Sequence, residues 1–473
     1  MRSEDGNRVG DKRQRIESFL DAWMVDHDVP CLSVALFDRD GLRYANGLGA
    51  RNIDDREPAT PDTCYSVASV TKTVTAIATL QLVDRGRLDL SDEIREYVSV
   101  WDDVPGEPIT VHDLLSHSSG MPLDYGGQRE PLFSETAPTS PLVTREDRIR
   151  HANGATDRRI EEPAGYLYSN LGYQILGEIV EVVADRTHAA FVERELIDPL
   201  GMDRSRVGHG EVSDVADDAM TGYEIDDGVP VETPFDLEAG MDPPYAAGGM
   251  VSSVTDLARL GRCLLEGGEL DGTRILSDDL VDAMCDHQAP PLTTIDGYDR
   301  GYGYGMKIVE LADATLVGHT GTSPVSRAYL GMDRERGIGA AIAANTATVP
   351  IAALAFGVLA IARGGSPVAS VPTIALQEKI AAVSGTYEGY RGGVTVTVAA
   401  AADGGHLEVD YRDGPGWTFP AFPETTAHDD YRFYRVRRDG QREPVTFHET
   451  ADGMEMRCNV DCLVRTTGEI PSR

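Results

Sequence analysis

The stretch Ser69-Val70-Thr71-Lys72-Thr73-Val74-Thr75-Ala76-Ile77-Ala78-Thr79-Leu80-Gln81-Leu82-Val83 decides how the rest of the chain is read. Val74, Ile77, Ala78 and Val83 are available for burial at helical spacing, and Gly86 stands just beyond the end as a stop signal. If Ser69 opens this helix, Lys72 lies one turn along the same face and the two side chains can meet. The hydroxyl also sits at the positive end of the helix dipole, which favours developing negative charge. A free lysine with a pKa near 10.4 is neutral only about 0.04% of the time at pH 7, a cost of about 4.6 kcal/mol. Burial lowers a lysine pKa by up to about 3–5 units, enough to make it a base. The chain keeps four lysines, Lys12, Lys72, Lys307 and Lys379, and uses arginine elsewhere. Arginine cannot be deprotonated, so a lysine retained here is informative. The plainer reading is a serine N-cap beside a solvated lysine. A lone Ser-x-x-Lys does not separate the two, since a chance match arises about one time in five.

Two more short motifs follow in order, Tyr168-Ser169-Asn170 and His319-Thr320-Gly321. Tyr168 offers a phenol whose pKa a neighbouring Lys72 would pull down, so that it passes protons between Ser69, the leaving group and the attacking water. Asn170 can hold the lysine and a substrate amide through its side chain. His319 and Gly321 follow an apolar run and are expected on an inner strand edging a cleft, with Gly321 permitting close approach of substrate. The backbone N–H of Thr322, together with that of Ser69, is expected to form an oxyanion hole. A core tyrosine beside a helix cap and a surface-strand histidine are the plainer alternatives.

Outward from these motifs, Val25–Arg51 reads as a helix end and a hairpin, with Cys31–Phe37 and Leu42–Leu48 joined by a turn at Asp38–Gly41. Helices are expected from Asn170 through Val183, at Val251–Leu265 and at Val349–Ala362. Strands are expected at Tyr302–Val309, Thr315–Gly318, Ala328–Met332 and Gly337–Ala344, and turn-rich loops at Pro122–Ser140 and Gly208–Tyr245. Strands at both ends of a largely helical middle predict an α+β fold: one antiparallel sheet flanked by helices, plus an all-helical lobe. After Gly364–Pro372 the texture changes to short alternating runs split by Asp-Gly and Gly-Gly turns, which predicts a small antiparallel β-barrel. The expected division is therefore 1–364, a linker at 365–378 and a β-domain at 379–473.

In this order and spacing the motifs resemble the serine β-lactamase and penicillin-binding protein family, in its class C β-lactamase, D,D-peptidase and esterase branch. Supporting stretches are Leu114-Leu115-Ser116-His117-Ser118-Ser119-Gly120-Met121-Pro122, Tyr168-Ser169-Asn170-Leu171-Gly172-Tyr173, Pro199-Leu200-Gly201-Met202, Ala247-Gly248-Gly249-Met250 and Gly318-His319-Thr320-Gly321. The resemblance covers roughly residues 12–363. It implies the β-lactamase/transpeptidase-like fold, with the site between the sheet and the helical lobe, and an acyl-enzyme on Ser69. Residues 380–473 resemble, more loosely, the small lipocalin-like domains appended to some members. The third motif departs from the family by beginning with histidine where penicillin-binding members more often carry lysine. A neutral His319 attracts a substrate carboxylate weakly, which tilts the reading toward esterase or peptidase chemistry. Arg327 is a candidate for the missing cation. Glu193-Arg194-Glu195-Leu196-Ile197 looks superficially like the deacylating motif of class A β-lactamases, but is read as a solvated helix face.

Composition bounds the rest. Seventy-eight acidic residues against 43 basic ones leave a net charge of −35. Such a surface repels nucleic acid and anionic membranes, and neither is expected as a partner. It also repels itself in dilute buffer, whereas at molar salt the Debye length falls to about 3 Å; a very salty cytoplasm is the expected setting. The six cysteines show no disulfide or zinc spacing, and Cys458 and Cys462 are expected in a hairpin. Met1–Arg15 lacks a signal-peptide core, and the apolar run of 337–362 is interrupted and too short to span a membrane, so a cytoplasmic location is expected. No cofactor or metal is expected. His-Glu-x-x-His and Gly-x-Ser-x-Gly motifs are absent, and His112 and His117 are given structural roles. The expected activity is hydrolysis of small esters, amides or D-amino-acid peptides, with β-lactams among the candidates. A catalytically silent scaffold of the same fold is the alternative, and the oligomeric state is left open.

Overall fold

The computed structural model describes residues 2–98, 107–120, 165–208, 212, 216–234, 245–293, 299–401, 404–412, 417–451 and 453–466. Two units divide it, residues 1–294 with 298–359, and residues 295–297 with 360–473.

In the first unit the chain ends build one sheet. Its strands are β1 (Cys31–Asp38), β2 (Gly41–Asn52), β3 (Glu57–Pro58), β4 (Ala289–Thr293), β5 (Asp299–Tyr302), β6 (Lys307–Leu311), β7 (Ala314–Thr322), β8 (Arg327–Asp333) and β9 (Ile338–Ala344). The order across the sheet is β4-β5-β6-β7-β8-β9-β1-β2-β3, antiparallel throughout. The expected hairpin forms because Asp38 Oδ1 accepts from the amides of Asp40 and Gly41, closing the turn between β1 and β2. The strand expected at Tyr302–Val309 is instead two: the chain reverses at 303–306, where the Gly303 amide donates to Met306 O and Gly305 takes φ +71. Three glycines in five residues permit that reversal.

Helices cover both faces. α1 (Arg2–Asp26), α4 (Val254–Leu265) and α5 (Ile351–Ala362) lie against the sheet, while α2 (Thr71–Asp84) and α3 (Asn170–Ala184) belong to the helical lobe. Alternation along the strands assigns each face. Phe37 and Leu330 meet Gly261 of α4, where an added Cβ would lie 2.2 Å from Phe37 Cζ. Their neighbours on the opposite face meet the chain-end helices. Tyr44 donates to Glu17 of α1 at 3.1 Å, and Tyr329 packs edge-on against Phe356 of α5 at 5.7 Å between centroids. The helix expected at Val251–Leu265 begins later, at Val254 behind a Ser253 cap, because Met250–Ser252 pairs as a strand with Tyr65–Ser66 and Arg206–Val207.

The helical lobe centres on α2, which is buried on every side from Thr71 to Leu82 rather than along one stripe. Its polar side chains are tolerated because each finds a partner. Thr73 donates to Gly305 O, Thr75 to Ala246 O, Thr79 to Thr75 O, and Gln81 to Glu195 O and Ile275 O. Helix α3 packs against α2 and is capped by Ser169, whose Oγ accepts from the Gly172 amide. Gly86, at φ +62, follows α2 as the expected stop.

The second unit carries a closed barrel of eight strands: β10 (Gly385–Glu388), β11 (Thr395–Ala400), β12 (Leu407–Tyr411), β13 (Trp417–Pro423), β14 (Arg432–Val436), β15 (Arg442–Thr450), β16 (Gly453–Cys458) and β17 (Asp461–Arg465). Its interior takes alternate residues such as Val396, Val398, Leu407, Val409, Phe433 and Phe447. Strands β10 and β13 escape sequence reading, the first for being short, the second because it carries Pro420 and Pro423 and buries only Ala421. The stretch 365–378, expected as a linker, carries the helix Pro367–Ser370 and the start of α6 (Pro372–Val383). Cys458 and Cys462 lie on the β16–β17 hairpin and all six thiols are free.

Among the described residues no helix is long and apolar enough to cross a membrane. The loop expected at Pro122–Ser140 lies outside the described residues, as does part of Gly208–Tyr245. In the latter, Tyr223–Asp226 and Val229–Glu232 pair as a hairpin.

Candidate active site

The site is organised by a tight turn ahead of α2. Ala68 takes φ +42, a left-handed conformation costing a side-chain-bearing residue about 1–2 kcal/mol. It is held there from four sides. Val67 N donates to Met250 O at 3.0 Å, Thr71 Oγ1 to Ala68 O at 2.6 Å, Met250 N to Thr71 Oγ1 at 3.0 Å, and Ser326 Oγ to Ser66 O at 2.9 Å. Ser69 therefore does not open the α-helix, as the sequence suggests; it sits in a 3-10 turn, Ala68–Val70, immediately before it. The turn leaves Ser69 half-exposed while both its neighbours are buried.

Lys72 is fully buried, and its Nζ meets three oxygens. Ser69 Oγ is 3.0 Å away, Asn170 Oδ1 2.7 Å and the carbonyl of Ala247 2.6 Å. Burial first, and the charge of Lys307 second, push its pKa well below the usual lysine value. A neutral amine has two N–H donors and one lone pair. The amide and backbone oxygens can only accept, so they take both donors and the lone pair is left facing the Ser69 hydroxyl. The Ala247-Gly248-Gly249-Met250 stretch thus supplies a lysine anchor at Ala247 and a turn clamp at Met250, roles its sequence does not reveal.

Tyr168 lies beside Ser69, and its ring centroid is 4.9 Å from Lys72 Nζ. The expected lowering of its pKa is reversed: burial pushes the phenol up, and Ser69 beside it only partly offsets this. The physical reason lies in Lys72, which burial drives toward its neutral form and so deprives of the charge that would favour a phenolate. Beside Tyr168 lies His117, buried at φ +58, whose Nδ1 accepts from the Ser169 amide at 3.1 Å. Its ring stands 4.4 Å from that of Tyr168, a bracing position in keeping with the structural role expected of it. His112 bonds the Tyr304 hydroxyl at 2.7 Å.

Ser69, Lys72, Tyr168 and Asn170 are thus brought into one contact set. His319 is completely buried on β7, with Nδ1 bonded to Thr320 O at 2.7 Å and Nε2 to Tyr302 OH at 3.1 Å, which makes Nδ1 the donor and Nε2 the acceptor. Burial, then Lys307, push its pKa well down, so the ring is neutral. Gly321 is needed for a reason other than substrate access: a Cβ there would lie 1.9 Å from the carbonyl of Val67, so strand and nucleophile turn touch backbone to backbone. Thr322 ends β7, exposed, opposite Arg327.

Arg327 Nη1 donates to the carbonyls of Ser323 and Ser326 at 2.7 and 3.2 Å, tying down its own turn. The positive group beside the motif strand is Lys307 on β6, whose Nζ donates to Thr320 Oγ1 at 2.8 Å and stands 5.7 Å from the Tyr168 ring centroid. Burial first, then Arg300, push its pKa down to about 8. Its rarity in this arginine-rich chain was the available signal. Among the described residues no cluster of three or more His, Cys, Asp or Glu could hold a metal ion. In the Glu193–Ile197 segment, which forms a π-turn, Glu193 is exposed and Glu195 pairs with Arg85 at 2.6 Å.

Comparison with known proteins places this geometry. Residues 13–362 match the family described as Beta-lactamase, and residues 367–459 match the Pab87 octamerisation domain. Protein Rv1367c of Mycobacterium tuberculosis is 29% identical over 332 residues, covering 65% of this chain and 79% of that protein. The octameric penicillin-binding protein homologue from Pyrococcus abyssi superposes with a TM-score of 0.84 at 29% identity, over 95% of this chain and 99% of that one. The D-amino acid amidase from Ochrobactrum anthropi gives 0.57 at 25% identity, over 71% and 91%. With a family match that spans the whole sheet, the helical lobe and the Ser69–Lys72 turn, the chain belongs to the β-lactamase family.

Proposed function

We propose that the chain is a serine hydrolase working through an acyl-enzyme on Ser69, with small esters, amides or D-amino-acid peptides as substrates. As Ser69 Oγ attacks the carbonyl carbon, its proton passes to the Lys72 lone pair. The N–H groups of Ser69 and Thr322 stabilise the oxyanion. Tyr168, a neutral phenol beside Ser69, relays a proton to the leaving group and recovers one from the water that releases the acyl group. Asn170 holds the amine in register, and His319 and Gly321 set β7 against the nucleophile turn. The observation that carries this reading is the donor count at Lys72, whose two obligate acceptors leave the lone pair for the serine. A family that includes an amidase for D-amino acids supports the substrate classes.

A fluorophosphonate probe tests the proposal. Labelling of the wild type that vanishes in Ser69→Ala is expected; a folded protein that stays unlabelled, and hydrolyses neither aryl esters, D-aminoacyl anilides nor nitrocefin, is a scaffold instead.

We take residues 1–364 as the hydrolase domain and 379–473 as an assembly domain that forms octamers. The octamerisation match and the octameric homologue support this, as do Tyr390, Trp417 and Val460, exposed at 84%, 57% and 87% on the barrel unit. Light scattering after size exclusion tests it. We also read the net charge of −35 as adaptation to high salt.

A further inference from the structure

The Lys72 amine turns its lone pair to Ser69 only while the Ala247 carbonyl keeps one of its donors occupied, and a backbone carbonyl stays where its turn stays. Tyr245–Ala247 is a single 3-10 turn, too short to satisfy its own carbonyls, so their partners come from outside it. Two consecutive carbonyls are taken by two side chains of α2. Lys72 Nζ donates to Ala247 O at 2.6 Å, and Thr75 Oγ1 donates to Ala246 O at 2.6 Å. Positions three apart share a helix face, so lysine and threonine grip neighbouring peptides of one turn. The Ala246 carbonyl belongs to the planar peptide that ends at Ala247 Cα. Fixing it leaves only the two dihedrals of Ala247 between the Thr75 hydroxyl and the oxygen on Lys72.

Thr75 is held in its turn. It has one hydroxyl proton, and a carbonyl can only accept, so that proton goes to Ala246. Its contact with His188 Nε2 at 3.0 Å is therefore one in which the imidazole donates and the hydroxyl oxygen accepts. Burial pushes the His188 pKa down to about 4, so the ring is neutral and its single proton is on Nε2. The histidine is fixed through its backbone, whose N–H donates to Glu181 Oε1 of α3 at 2.8 Å, where the short helix His188–Val192 begins. Both Thr75 and His188 are buried, and the proposed reaction uses neither. Valine has the shape of threonine, so packing alone asks for no hydroxyl at 75, and a buried polar pair is costly unless its bonds are made.

We propose that Thr75 and His188 are positioning residues of the Ser69 centre: His188 orients the Thr75 hydroxyl, Thr75 pins the Ala246 peptide, and the adjoining Ala247 carbonyl is thereby kept on Lys72. The base is aimed from behind by a relay that begins on α3. This deepens the serine hydrolase reading and rests on it.

The rate and the final extent of fluorophosphonate labelling at Ser69, with kcat and KM on a short aryl ester at molar salt, test it. Thr75→Val keeps the shape and removes the hydroxyl; a misplacement of about 1 Å costs up to about 10²-fold, so labelling and kcat should slow about tenfold to a hundredfold, with KM within about twofold and labelling still going to completion. Thr75→Ser, which restores the hydroxyl, should recover most of the rate. In a Lys72→Met background Thr75→Val should cost nothing further, since residues acting as a unit are not additive. A merely structural threonine behaves otherwise, lowering the labelled fraction and costing activity in either background. Should Thr75→Val fail to fold, His188→Leu set against His188→Gln, which keeps an N–H donor, reads the same contrast. A wild-type rate in folded Thr75→Val or His188→Leu, a serine variant as slow as the valine, or an equal loss without the Lys72 amine overturns the assignment. Failure of the hydrolase reading looks different: Ser69 of the wild type itself takes no label and no ester turns over, whatever stands at position 75.

Discussion

Replacing Lys72 by methionine removes a lone pair 3.0 Å from Ser69 Oγ while keeping an unbranched side chain in a fully buried slot. General-base assistance is worth about 10²–10⁴-fold, or roughly 3–5 kcal/mol of barrier. The upper half of that range applies here, because Asn170 and Ala247 already aim the amine and no reorganisation is needed. The assay is kcat/KM on a short aryl ester at molar salt, beside Ser69→Ala and the double variant. A loss of about 10³-fold or more is expected, with no further loss in the double variant, since residues acting as a unit are not additive. Lys72→Arg should be equally inactive, since a guanidinium stays protonated at any accessible pH and offers no lone pair. Two pH effects accompany the change. Activity of the wild type falls as pH drops through the lowered pKa of Lys72. Stability moves the same way: above that pKa the unfolded chain holds a proton on Lys72 that the folded one does not, so stability rises with pH until the unfolded lysine titrates near 10.5. Lys72→Met should flatten that slope. A folded Lys72→Met protein retaining a tenth of wild-type activity refutes the base assignment.

Other consequences are equally direct. Tyr168→Phe should cost about 10²-fold in kcat with little change in KM; because burial holds the phenol protonated, a basic limb near neutrality that disappears in this variant would show the relay to be a phenolate after all. Gly321→Ala drives a methyl into the Val67 carbonyl, and should lower stability by about 1–3 kcal/mol together with activity; a variant with normal Tm and rate shows that strand and turn do not depend on each other. Dialysis from molar to about 0.1 M salt lengthens the Debye length from about 3 to 10 Å and should lower Tm markedly; an unchanged Tm removes the halophilic reading.

Much of the site is legible in the amino-acid sequence because its signals are local. A serine three residues before a lysine lets the two side chains meet, here from a 3-10 turn into the helix that follows, and Asp38 closes the β1–β2 hairpin through contacts two and three residues long. The pair Tyr168 and Asn170 and the β7 motif are legible from their order along the chain. What the order cannot convey is which partner lies across a gap of hundreds of residues. The Ala247 carbonyl reaches Lys72 from 175 positions away, and only the packing of the turn Tyr245–Ala247 on α2 and α3 brings it there. Lys307, ordinary in its own strand, joins the site through the β6–β7 register that sets it opposite Gly318 and bonds it to Thr320, and through a fold that brings it to the Tyr168 ring. Protonation is decided at that level too. The identities of Tyr168 and Lys72 are plain in sequence, but which of them keeps its proton depends on burial, and burial is a property of the folded whole. Residue types and spacing therefore determined the chemistry available to this protein, while tertiary packing decided its protonation states and its cation, because desolvation and long-range contact exist only once the chain has closed on itself.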